Sequence, residues 1–149
     1  MTILDLARVK QAHTRFLAAN ERMVTSVLER TGTFAENYVR QHPTFKRRTG
    51  KTQDKTSHRV VKLKSGATLV IKNTAKHAMA LEYGSRPHVI RPRRAIFLRF
   101  MVKGKAVFAR KVNHPGNKPY KFLYRALNAS GRIVEPNLRD DMAEIARKF

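Results

Sequence analysis

The chain has 149 residues, 42% of them hydrophobic, which suits one domain with its own core and is too few for two. It has no cysteine, so disulfides, thiolate metal sites and a thiol nucleophile are excluded. The formal charge is +22 and it is segregated: residues 40–125 hold 23 of the 32 Lys and Arg but only Asp54 and Glu82 as acids, a local balance of +21. Charge of that density repels itself unless a polyanion neutralises it, which points to DNA or RNA first and an acidic protein second, with simple solubility as the competing reading. Asp5, Arg8 and Lys10 interrupt the apolar residues where a signal peptide would need a run, and no stretch reaches the roughly 18 apolar residues of a membrane span. A soluble protein with no membrane partner is expected.

From Thr2 to about His42 there is no proline, and Val9, Phe16, Met23, with Val27 and Phe34, recur at sevens, widened by Leu6, Leu17, Val24, Leu28 and Tyr38. This predicts one long amphipathic helix over 1–42, or a helical hairpin folded near Gly32. Forty residues would span roughly 60 Å, more than a domain of this size needs, so part of the stripe is expected to meet another chain. Pro43 ends the helix, and the basic, aperiodic stretch 43–58 reads as a loop or arm that orders on meeting a partner.

Residues 59–129 read as a small sheet with short helices. Arg59–Lys64 and Thr68–Lys72 flank Ser65-Gly66-Ala67 as a first hairpin; Ile96–Val102 and Ala106–Val112 form a second, turned at Lys103-Gly104-Lys105. Phe97, Phe100, Val107 and Phe108 are the core candidates of the second, and the four strands are expected to make a central sheet. Between the hairpins, Ala75–Tyr83 has short-helix character stopped by Gly84. After Pro119 a helix over Tyr120–Ala129 is predicted to end at Gly131, followed by a C-terminal helix within 131–149 that is amphipathic through Leu138, Met142, Ile145 and Ala146. The fold class is α+β in a single domain.

Gly50-Lys51-Thr52 invites a phosphate-loop reading, but the glycine that motif needs five positions earlier is Phe45. The six histidines include no pair three or four apart, so no metal site and no cofactor is expected. His88, His114, Tyr83, Arg86 and Arg91 are residue types that a metal-independent ribonuclease could use as acid, base and phosphorane stabilisers. The stronger reading of this region is a non-enzymatic phosphate-contacting surface. Around Pro87 and Pro92 the stiffened backbone displays Arg91, Arg93 and Arg94, and Lys46, Arg47, Arg48 and Lys51 of the upstream arm could join them. No recognition helix or zinc finger is visible, so contact insensitive to sequence is expected.

Glu82-Tyr83-Gly84 followed by Arg86-Pro87-His88, the later His114-Pro115-Gly116, and a helix opened by Pro119 and Phe122 resemble, in order and spacing, the tail-component family of long-tailed bacteriophages, also called neck or tail-completion proteins. With the N-terminal helix the resemblance covers roughly two thirds of the chain. It departs at Arg48-Thr49-Gly50-Lys51-Thr52-Gln53, where the family often has Thr-Gly-Asn-Leu and begins a strand. The resemblance implies a structural protein of the virion, assembled in the host cytoplasm as a ring of copies, six by tail architecture. Its implied partners are a connector or head-closure protein, the tail tube protein and DNA in the lumen, and it implies no catalysis. The motif glycines and prolines read as turn and loop formers, and the two histidines as loop-bonding groups.

Overall fold

A computed structural model describes residues 6–42, 44–45 and 51–148. Its spine is α1 (Leu6–Gln41), unbroken through Gly32. Thirty-six residues at about 1.5 Å each make it roughly 54 Å long. The chain then forms α2 (Lys51–Asp54), β1 (Thr56–Leu63), β2 (Gly66–Asn73), α3 (Ala78–Tyr83), β3 (His88–Ile90), β4 (Leu98–Val102), β5 (Lys105–Ala109), β6 (Val112–His114) and α4 (Phe122–Lys148). The class is α+β: a long N-terminal helix, antiparallel strand pairs and a C-terminal helix.

The helix α4 lies antiparallel along α1. Ala35 and Val39 meet Phe122 and Ala126 in the core, while Arg30 pairs with Asp141 further along. Small residues make that approach close: Ala35, Ala126 and Ser130 are fully buried. The two buried hydroxyls at this seam are satisfied by their own helices, Thr31 donating to the Val27 carbonyl at 2.7 Å and Ser130 to Leu127 at 2.8 Å. Burial of Phe122 stabilises the seam by about 1.5–3 kcal/mol.

The sequence predicted a helix end at Gly131 and a separate helix in 131–149; instead α4 runs through Gly131 and Pro136 without a stop. Local breakers are overridden by packing on α1, and Pro136 sits on the exposed side, where water can take up the carbonyl it leaves free.

The β1–β2 hairpin packs on α1 and is fastened there by His58. Its backbone N–H and Nδ1 both reach Glu36 Oε1, at 2.9 and 2.6 Å, and Nε2 lies 3.0 Å from Glu29 Oε2. The imidazole lies against the one point of α1 without a side chain: a Cβ on Gly32 would fall far inside contact with the ring. Gly32→Ala, normally favourable in a helix, is therefore expected to destabilise the fold by about 1–3 kcal/mol. The loss should largely vanish in a His58→Ala background, read as a double-mutant cycle from urea unfolding.

The expectation of a loop over 43–58 that orders only with a partner is corrected in its second half. Gln53 and Thr56 are buried, and Asn73 Nδ2 donates to the Thr52 carbonyl and to Thr56 Oγ1. Upstream, Phe45 packs edge-on against Tyr120 and Phe122, with centroids 5.8 and 5.5 Å away. These apolar and amide contacts hold Phe45 and residues 51–58 to the body.

The remaining strands form a separate structure. Between Ser85 and Asn117 the chain runs out and back as a ribbon of successive pairings: the Ser85–Asn117 bridge, then β3 with β6, and, beyond the loop of residues 91–97, β4 with β5 as a separate pair. Its tip is Lys103-Gly104, both at positive φ (48° and 81°), the conformation of the two-residue turn that matches strand twist. The four predicted hairpin strands are present, but as two separate two-stranded pairs, with β3–β6 a third. The strands β4 and β5 pack on each other and on no body element to a comparable extent. This overturns the core assignment of the second hairpin: Phe97, Phe100 and Phe108 are exposed and Val107 is only half-buried.

Candidate nucleic-acid interface

The root of the ribbon is built by the motif residues. Glu82, buried at the end of α3, reaches across the chain to the start of α4, where its two carboxylate oxygens accept from the backbone N–H groups of Leu123 (2.9 Å) and Tyr124 (3.0 Å). A helix start leaves its first N–H groups unpaired and favours negative charge. No Ser, Thr, Asp or Asn precedes Phe122 to serve as a local cap: Lys121 stands there at φ 52°. The carboxylate of Glu82 takes that place, helped by backbone bonds from Tyr120 N–H to the Leu81 carbonyl and from Lys121 N–H to the Glu82 carbonyl.

Gly84 and Gly116 then let two backbones cross closely. Both have positive φ, 81° and 85°. A Cβ on Gly84 would lie 2.7 Å from the Asn117 carbonyl, and one on Gly116 would collide with the Ser85 carbonyl. Between them Ser85 and Asn117 exchange both backbone bonds, at 2.9 and 3.0 Å. Three residues further along each strand, His88 and His114 stack with centroids 5.0 Å apart. The Nδ1–H of His88 donates to the Arg86 carbonyl, while His114 Nδ1 accepts from Gly116 N–H. Each imidazole thus uses Nδ1 on the ribbon's own loop backbone, so the pair stiffens the root. A ribonuclease reading would have to work with the Nε2 atoms alone; Tyr83, Arg86 and Arg91 are all exposed.

Above this root the surface is cationic. From Ser85 to Asn117 there are nine Lys and Arg and no Asp or Glu. Arg91, Arg93 and Arg94 are all exposed in the bend between β3 and β4. Of the upstream residues predicted to join them, Lys51 is exposed at the start of α2, on a different element, and Lys46, Arg47 and Arg48 lie outside the described residues. Sequence reasoning missed the cations nearer the tip, Arg99, Lys103, Lys105 and Arg110, because the hairpin carrying them read as part of a core sheet.

Pro87, Pro115 and Pro119 are exposed loop positions of the root, and Phe122 is its buried anchor. Beside it opens an apolar groove of about 550 Å³ lined by Leu69, Ile71, Tyr83, Leu123, Tyr124 and Leu127. Among the described residues no group of three or more His, Cys, Asp or Glu could hold a metal ion, and no helix is long and apolar enough to cross a membrane. No protein-family model matches the chain, and no curated protein or solved structure does.

Proposed function

We propose that the chain is a non-enzymatic structural protein of the head–tail junction or tail terminus of a long-tailed bacteriophage. On this reading copies form a ring, six by tail architecture, around the DNA path. The ring joins tail to head through a connector or head-closure protein and the tail tube protein, and the protein resides in the virion after assembly in the host cytoplasm. The observation that carries the reading is the collection of cations, with no acid, on one rigidly rooted projecting ribbon. Such a surface can screen phosphates of DNA passing by without reading its sequence. The order of motif residues that resembles the tail-component family falls at the ribbon root, so the resemblance and the charge concern one substructure. The apolar groove adjoining the ribbon root is a surface that an assembly would cover.

The test is the salt dependence of binding to duplex DNA. Replacing Arg91, Arg93 and Arg94 together by glutamine is expected to reduce the slope of log K against log salt by about 2.7, at about 0.9 per phosphate contact, with the melting temperature unchanged. An unchanged slope would remove these arginines from the DNA surface.

A further inference from the structure

The β4–β5 register divides the ribbon into two unlike faces. Directly opposed residues share a face, so Leu98 with Ala109, Phe100 with Val107 and Val102 with Lys105 make one that is almost wholly apolar. The other carries Arg99 opposite Phe108 and Met101 opposite Ala106, and Arg110 lies over the Phe97 ring, 5.6 Å from its centroid. Phe108 and Arg99 on this second face, with the Phe97–Arg110 pair just beyond the paired residues, bring aromatic and guanidinium groups together, and the rings are open to solvent: Phe108 is 63% exposed and Phe97 44%.

A surface that only screened duplex phosphates would need the cations and would gain nothing from a bare ring, since paired bases present no face to it. Unpaired bases do. They stack on aromatic rings and on guanidinium planes while neighbouring cations take the phosphates, and stacking is indifferent to sequence because every base has a π-face. On this face the charge favours such a strand over the ribbon of another copy, which would bring the same acid-free run of cations.

We propose that the Arg99–Phe108 face of the ribbon binds a nucleic-acid strand through its unpaired bases, with Phe108 as the stacking platform, the Phe97–Arg110 pair as a second one, and Arg99 and Lys103 on the phosphates. This goes beyond the screening of duplex DNA and does not depend on the phage reading.

The experiment uses the whole chain and labelled single strands of DNA and of RNA about 12 nucleotides long, the DNA duplex of the same length, and polyglutamate as competitor. Single strands should bind tighter than the duplex, and Phe108→Leu, which keeps the apolar bulk, should weaken them about tenfold while leaving duplex binding unchanged. Arg99→Gln should lower the single-strand salt slope by about 0.7. A base analogue whose fluorescence reports stacking should respond with the natural protein and not with Phe108→Leu. The DNA and RNA arms identify which strand chemistry is preferred. Duplex binding as tight as single-strand binding, a Phe108→Leu protein that binds single strands normally, or displacement by polyglutamate as effective as by unlabelled strand would each overturn the proposal.

Discussion

Replacing Glu82 by alanine is expected to lower the stability of the fold by about 2–3 kcal/mol. The carboxylate accepts from two backbone N–H groups at the start of α4 while itself buried, so truncation leaves both donors short of an acceptor and removes a negative charge from the positive end of a 27-residue helix. The same side chain ties α3 to α4, the two elements from which the ribbon departs. Glutamine keeps one acceptor oxygen and no charge and should recover part of the loss. Urea unfolding checks the order natural protein, Glu82→Gln, Glu82→Ala; a drop in the midpoint with an unchanged slope would show that stability alone has moved. An alanine variant as stable as the natural protein would mean that water replaces the cap and that Glu82 does not organise the root.

The second large effect is local. Gly116→Ala must adopt a left-handed φ of 85°, at about 1–2 kcal/mol, and its Cβ would also collide with a backbone atom, the Ser85 carbonyl, which cannot swing aside as a side chain could. The base of the ribbon should open by at least about 2 kcal/mol. Because β4 and β5 lean so little on the body, the α1–α4 seam should remain intact. Hydrogen exchange at the Ser85 and Asn117 amides is expected to accelerate about 30-fold or more, with exchange in the buried middle of α1 unaltered. Gly104→Ala at the tip is the control: its φ of 81° carries the same conformational cost, but open space surrounds it, so the root amides should exchange normally.

These two residues also show what was legible in the sequence. The glycine and proline positions of the root, and the stop of α3 at Gly84, follow from local rules. So does α1, whose apolar spacing is long and regular. The role of Glu82 does not, because it acts on a helix start some forty residues away. The available signal was a missing one: nothing capable of capping stands before Phe122.

The ribbon was misread for a different reason. Alternating apolar residues in Leu98–Val102 and Lys105–Ala109 look the same whether the strands face a core or project from it, and period-two patterning carries no information on what lies opposite. The informative feature was composition, since a core-facing sheet has little use for arginines interleaved with phenylalanines and no acid across 33 residues. Conversely, Gly131 and Pro136 gave strong local reasons to end α4, and they were outweighed by the close fit of Ala126 and Ser130 on α1, which no local window contains.

The central proposal is assembly of copies of this chain around DNA. Solution mass measured by light scattering over a range of salt, with negative-stain images of the same samples alone, with duplex DNA and with tail-tube protein, tests it most directly. Closed rings, formed by the chain itself or once DNA or tube protein is added, are the predicted result. A strict monomer under all three conditions that instead binds or cleaves structured RNA would contradict it.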